Sequence, residues 1–386
     1  MILKNANVLI EEQFEQLDIQ VIGEKIHQIA HTIKEEQEQE VYDCSNCYIV
    51  PGFIDIHTHG AYGHDINHAN ASQLNEVSQF FATQGVTSFL GSILTDTKEQ
   101  TLWCIQQLRE RIEKGCIGSR LIGIHLEGPF LSEKYKGAMP LELLKYGEIE
   151  LIKEYQKEAN GFVRYITIAP EVKENMSMIK ELCELGIKVS MGHSDATYEQ
   201  SMKAIEEGVT CATHLMNAMR PIHQHEIGIV GAAFLSDIFV ETIIDGLHLV
   251  PDTLKLIAHN KGLDKIIGIT DCIMATGLPD GSYQLGINDV EVKNGDAKIA
   301  NTDIRAGSTL QMSKGIKNLC KFLDLPLEQV VKMITSNPAK MLGLYDRGKI
   351  ECGLLADLVV LDQNLSVVKT VVGGNVVYKQ KTAEGL

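Results

Sequence analysis

The stretch Pro51-Gly52-Phe53-Ile54-Asp55-Ile56-His57-Thr58-His59-Gly60 is a short apolar strand that ends in His-x-His. Successive side chains of a strand alternate, so His57 and His59 face the same way. Two imidazoles on one side of a strand end are half of a site for a divalent metal. Gly60 then frees the backbone to turn away. By itself His-x-His says little. Its meaning depends on what the other strands of the chain end in.

Outward from this stretch the chain repeats one pattern. Helical periodicity runs through 72–83, 98–113, 175–185, 198–207 and 251–259. Between these lie apolar, β-rich runs at 87–90, 121–125, 163–168, 187–191, 209–213, 239–244 and 265–269. With the strand before His57 they make eight. Near-continuous apolar strands alternating with helices predict a parallel sheet covered on its outside. Eight such units predict an α/β fold of the (β/α)8 TIM-barrel type. An open doubly wound sheet would carry a glycine-rich phosphate turn after its first strand, and the sequence has none there. Residues 1–50 read as short strands (2–10, 18–22 and 25–29), with Gly23 at a turn and a polar loop over 34–40. Past the eighth strand, 282–299 reads as a hairpin insertion, 308–323 and 327–336 as helices, and 358–361, 367–372 and 375–378 as strands. The terminal segments 1–50 and 346–386 are expected to complete one another as a small β-sandwich domain beside a barrel of residues 51–345.

The strand ends carry the chemistry. After His57 and His59, the run at 121–125 leads into Glu127, that at 187–191 into His193, and that at 209–213 into His214. The run at 239–244 leads into Asp245 and His248, and the last one into Asp271. In a parallel barrel every strand C-terminus opens on one face, so residues far apart in sequence meet at one rim. Imidazole and carboxylate donors suit one or two divalent ions, Zn²⁺ first, with Fe²⁺, Mn²⁺ or Co²⁺ as other occupants. Cys272, beside Asp271, is the lone thiol near them. Glu127 is the natural bridge, because a carboxylate offers two oxygens. A divalent ion lowers the pKa of a coordinated water to about 7, and a neighbouring carboxylate can relay its proton. Asp271 is the candidate for that relay. This is hydrolytic chemistry at a carbonyl or phosphoryl centre.

The chain has 386 residues, 44% of them hydrophobic, enough for one large core and a smaller one. A net charge of -16 makes nucleic acid and anionic membranes poor partners and does not itself say what the chain binds. No apolar run reaches the roughly 18 residues of a membrane span, and the N-terminus lacks a signal-peptide pattern. The nine cysteines read as reduced thiols of a cytoplasmic protein, and Cys44-Ser45-Asn46-Cys47 as an incidental C-x-x-C. His27, His31, His64, His68 and His259 read as surface or packing residues, and His125 as a residue behind the ligands. Trp103 is expected on the barrel exterior.

In order along the chain, PGFIDIHTHG, GIHLEGPF, GHSDA, THLMNAM, IIDGLHL, ITDCIMATGLPDG and AGSTLQM closely resemble the N-acetylglucosamine-6-phosphate deacetylases of the amidohydrolase superfamily. The resemblance spans nearly the whole chain. It implies a small-molecule substrate, with removal of acetate from N-acetyl-D-glucosamine 6-phosphate, giving D-glucosamine 6-phosphate, in amino-sugar catabolism or recycling. It implies a main metal on Glu127, His193 and His214, and a second on His57 and His59 with Glu127 and Asp271. Asp271 would act as general base and then acid, and His248 would polarise the acetyl carbonyl or hold the sugar. Sugar and phosphate contacts would fall on Ala138, Asn217, Ala218, His225, His248, Arg305, Ala306 and Gly307, in a homodimer with a shared active site. The family pattern has an arginine where this chain has His225 and a leucine where it has Arg305, so Arg305 or Arg220 is expected to supply the charge for the phosphate. Rival readings are the same chemistry on another N-acetylated sugar, such as N-acetylgalactosamine 6-phosphate or a non-phosphorylated one, a deaminase or cyclic amidase, and a non-catalytic scaffold.

Overall fold

The computed structural model describes residues 1–35 and 39–380. Residues 36–38 of the expected loop at 34–40, and 381–386 of the C-terminal segment, lie outside the described residues.

Eight parallel strands stand side by side in sequence order: Phe53–Asp55, Val86–Leu94, Arg120–Glu127, Val163–Ile168, Lys188–Met191, Val209–Ala212, Phe239–Ile243 and Ile266–Ile269. Helices Ala71–Thr83, Lys98–Lys114, Ile149–Glu158, Asn175–Glu184, Tyr198–Glu207, Gly228–Leu235 and Pro251–Lys261 follow the first seven. The circle closes at its C-terminal rim. The Asp271 N–H donates to the His57 carbonyl (2.9 Å) and the His59 N–H to the Cys272 carbonyl (2.7 Å). The segments that join the first and last strands are therefore the ones that carry His57, His59 and Asp271. Inside the barrel, Ile54, Leu90, Ile122, Tyr165, Cys211, Ile243 and Ile267 fill the axis, and Ala339, Met341 and Leu342 plug the bottom. Gly52 admits the second strand at close quarters: a Cβ there would lie 2.1 Å from Thr87 Oγ1.

Local chemistry sets the helix starts. Asn70 and Thr197 form capping boxes with Gln73 and Gln200, each satisfying free N–H groups of a first turn. Two helices are absent from the sequence reading. Ile149–Glu158 buries only the narrow stripe Leu151, Ile152 and Tyr155. Gly228–Leu235 is apolar all round and buried through Ala233, so it shows no helical period to read. The expected helix at 327–336 is instead three pieces, Leu327–Val330, the 3-10 turn Val331–Ile334 and a new helix Ser336–Leu342. Pro338 accounts for the restart, because in a first turn its missing N–H costs nothing. The helix expected from residue 308 begins at Met312, since Ser308 is drawn into extended pairing with the Asp271 carbonyl (2.7 Å). The insertion after the eighth strand is a three-stranded antiparallel sheet, Gly281–Leu285, Asn288–Lys293 and Asp296–Ile299, rather than a single hairpin.

A second sheet joins both termini in the order Asn375–Lys379, Val367–Val372, Leu358–Leu361, Tyr48–Pro51, Ile2–Ile10, Gln13–Ile22, Lys25–Ala30, with Val41–Asp43 also on Ile2–Ile10. It has its own apolar core, including Leu3, Val8, Ile19, Ile49, Leu358 and Val371. It is a sandwich-like unit against the barrel, fastened in part by Thr370 Oγ1 donating to the Ala82 carbonyl (2.7 Å).

Candidate metal centre

The barrel strands deliver the candidate ligands to one place. His57 and His59 follow the first strand, Glu127 ends the third, and His193, His214 and Asp271 each lie two residues past the fifth, sixth and eighth. All six are buried. Three stand in the left-handed backbone region, His193 at φ 47°, His214 at φ 29° and Asp271 at φ 51°. That conformation costs a non-glycine residue about 1 kcal/mol or more and persists where surrounding structure imposes it. Here it turns the side chain from the strand direction into the barrel mouth.

Glu127 is the hub. Its Oε1 lies 3.3 Å from His57 Nε2, 3.2 Å from His193 Nε2 and 3.1 Å from His214 Nε2, and its Oε2 lies 3.3 Å from His59 Nε2. The donors form two groups that share it, His57–His59–Glu127 and Glu127–His193–His214. Asp271 Oδ1 stands 3.2 Å from His59 Nε2 and 3.6 Å from His57 Nε2.

The far sides of three of the four rings show what these donors are built for, while His214 Nδ1 has no partner among the described residues. His57 Nδ1 meets Glu241 Oε2 (3.1 Å), His59 Nδ1 the Ser92 carbonyl (3.2 Å) and His193 Nδ1 the Tyr135 carbonyl (2.9 Å). Each acceptor draws the proton to Nδ1 and leaves a lone pair on Nε2. Yet the Nε2 atoms face one another, His57 and His59 at 3.2 Å, His193 and His214 at 3.1 Å. Opposed lone pairs around a carboxylate are reconciled by a cation among them. The donor set therefore fits a divalent ion in either group. Cys272 takes no part, since its Sγ donates to the Gly60 carbonyl (3.2 Å).

The electrostatics call for positive charge among these donors, which either protons or a cation would supply. Burial would raise the Glu127 carboxyl, but His57, His193 and His214 hold it well below the usual carboxylate range. Asp271 is likewise depressed, with His57 and His59 outweighing burial. Burial pulls the His59 imidazole down while Asp271 and Glu127 push it up, to about 9. His125 is buried between Ser92 Oγ and Thr167 Oγ1 (both 2.9 Å), and burial together with His57 holds it well below the ordinary histidine value.

Above the donors opens a cavity of about 500 Å³. Ala138, Asn217, Ala218, His248, Arg305 and Gly307 line it, together with Asp271. His248 donates from Nδ1 to Asp245 Oδ2 (2.7 Å). Arg305 is paired through Nε and a terminal nitrogen with Asp296 (2.8 and 3.2 Å). Ala306 is fully buried and does not line the cavity. His225 is exposed on a loop closed by paired backbone bonds between His223 and Glu226, away from this chain's cavity. Arg220 is also off the cavity, its Nε 2.9 Å from Asp195 Oδ1. The sequence reading missed the rim loop of Lys134, Tyr135 and Lys136, which lines the cavity and orients His193. It also missed Glu241, although a glutamate inside an apolar strand run is itself a signal.

Residues 48–377 match the amidohydrolase family. The N-acetylglucosamine-6-phosphate deacetylase of Bacillus subtilis is 37% identical over 356 residues, 91% of this chain and 90% of that protein. The chain belongs to the N-acetylglucosamine-6-phosphate deacetylase family of amidohydrolases. Two solved members of that family superpose closely. A mutant deacetylase from Mycobacterium smegmatis, in complex with N-acetyl-D-glucosamine-6-phosphate, has a TM-score of 0.92 at 32% identity and covers 98% of this chain and 99% of that one. The Thermotoga maritima deacetylase has a TM-score of 0.89 at 33% identity over 98% of this chain and 100% of that one.

Proposed function

We propose that the protein hydrolyses N-acetyl-D-glucosamine 6-phosphate to D-glucosamine 6-phosphate and acetate. The observation that carries this is the convergence of four imidazole Nε2 atoms and Glu127 beneath a sugar-sized cavity walled by Asp271 and His248. Glu127, His193 and His214 would hold one divalent ion, and His57, His59, Glu127 and Asp271 a second, with zinc best suited to this donor set. Such an ion supplies Lewis acidity and an acidified water. Asp271, on the cavity wall beside His59, would take the proton of the attacking water and return it to the departing amine nitrogen. Asp245 orients His248 through Nδ1, and the ring on the cavity wall polarises the acetyl carbonyl or holds the sugar. Asn217 and Ala218 supply donors for the substrate's phosphate, and Arg305 its charge.

The same reading takes residues 1–50 and 346–386 as the small β domain and 51–345 as the catalytic barrel. It takes the protein as a cytoplasmic homodimer. The nine cysteines are free, and no helix among the described residues is long and apolar enough to cross a membrane. The exposed Ile222, Leu247 and Val250 lie beside the loop of His225 or on the neighbouring rim loop, where a second copy would cover them and receive His225. Light scattering gives the assembly state. Acetate release from N-acetylglucosamine and N-acetylgalactosamine, each with and without a 6-phosphate, tests the activity. Preference for N-acetylglucosamine 6-phosphate is expected; no release from any of the four would overturn the reading.

A further inference from the structure

Glu241 is a glutamate on the barrel interior, in the middle of the seventh strand, with no exposed surface. Three donors converge on it. Oε2 accepts from His57 Nδ1 (3.1 Å) and from the His214 backbone N–H (3.1 Å), and Oε1 accepts from the Tyr165 hydroxyl (2.7 Å). Three donors and, among the described residues, no paired lysine or arginine describe a carboxylate used wholly as an acceptor. A buried carboxylate without a cationic partner is costly unless something nearby repays it. The cation implied on the other side of the His57 ring would do so, through the imidazole between them. Glu241 also touches both donor groups at once, through the ring of His57 and the backbone of His214. Its own anchor is Tyr165, whose ring lies 4.6 Å from that of His125, and His125 in turn stacks edge-on to His57 at 4.5 Å.

We propose that Glu241 is the positioning residue of the metal centre: it fixes the Nδ1–H tautomer of His57, aims Nε2 at Glu127, and sets the affinity of the His57–His59 group for its ion. Tyr165 holds Glu241 in place for this. The proposal rests on the metal-centre reading above, but its test reads metal binding and not deacetylation, so the two fail separately. Carboxylates and carbonyls behind ligating histidines characteristically change metal affinity about 10–100-fold when removed.

The experiment titrates metal-free protein with Co²⁺ against a chromophoric chelator and records the cobalt d–d spectrum. Wild type is compared with Glu241→Gln, Glu241→Ala and Tyr165→Phe, each also in a His57→Ala background. Glu241→Gln keeps an acceptor for His57 but loses the charge, so Co²⁺ affinity should fall several-fold; Glu241→Ala should fall about 10–100-fold, and Tyr165→Phe least. With His57 already removed, the Glu241 substitutions should lose most of their effect on affinity, because they act through that ring. If Glu241→Ala fails to fold, the near-isosteric Glu241→Gln still decides. Affinity and spectrum of Glu241→Gln equal to wild type would overturn the proposal. So would an undiminished effect in the His57→Ala background, which would mark Glu241 as a structural residue of the barrel.

Discussion

Asp271→Asn isolates the proton relay from the rest of the site. Residue 271 stands at φ 51°, a conformation that Asn and Asp tolerate better than other side chains, so the replacement adds no new backbone strain. Gly307 packs against the same turn, where a Cβ would lie 2.8 Å from the Asp271 carbonyl oxygen, so the backbone that sets residue 271 is left untouched by the replacement. Asn keeps an oxygen near His59 Nε2, now 3.2 Å from Oδ1, but cannot accept a proton. The Glu127–His193–His214 group does not include residue 271, so metal held there should remain. General acid–base catalysis contributes about 10²–10⁴-fold. Asp271 serves both proton steps, which places the expected loss of kcat near 10³–10⁴-fold, or about 4–5.5 kcal/mol of barrel-mouth chemistry. KM should change little. The assay is steady-state acetate release, with metal content and thermal unfolding measured on the same preparations. A folded, metal-containing Asp271→Asn enzyme that keeps more than about a tenth of kcat would refute the assignment.

Other perturbations separate the remaining parts. Glu127→Gln removes the anion shared by four imidazole nitrogens, so metal per chain should drop and activity fall more than about 100-fold; full metal content by elemental analysis would contradict the hub role. Dialysis against a chelator should abolish turnover, and Zn²⁺ or Co²⁺ should restore it. Arg305→Leu should raise KM for the 6-phosphorylated sugar about 3–10-fold without affecting its non-phosphorylated form, a small effect because Arg305 is partly exposed and already paired with Asp296. Arg220→Ala should leave that ratio unchanged, since Arg220 is spent on Asp195 outside the cavity. Burial, with Lys265 beside it, pushes the Lys261 ammonium down to about 8. The unfolded chain therefore binds the extra proton between about pH 8 and the ordinary lysine value, and this group makes stability rise with pH across that window. Denaturation of Lys261→Met should lack this rise; an identical pH slope in both proteins would exclude it.

How much was legible depended on whether a residue's role is local. Glu127, His193, His214 and Asp271 could be read as candidates because each sits just past an apolar strand run, and a parallel barrel gathers all such positions on one rim. Glu241 shows in the sequence as a carboxylate inside an apolar run, but its role does not, because its partners His57, Tyr165 and His214 come from three other strand segments and no spacing announces them. The helix Gly228–Leu235 escaped for a different reason: apolar on every side, it has no polar face to set a period. The restart at Ser336 did have a signal in Pro338, but that the new helix carries Met341 and Leu342 to the barrel axis shows only in the packing.

By itself the sequence determined the strand–helix alternation, the eightfold count and the donor types, because these follow from side-chain period and residue chemistry along a continuous stretch of chain. Only the tertiary structure decided which ring nitrogens face one another, which carbonyl or carboxylate orients His57, His59 and His193, and which arginine reaches the cavity. Those depend on distances of about 3 Å between atoms far apart in the chain, and such distances exist only once the barrel has closed.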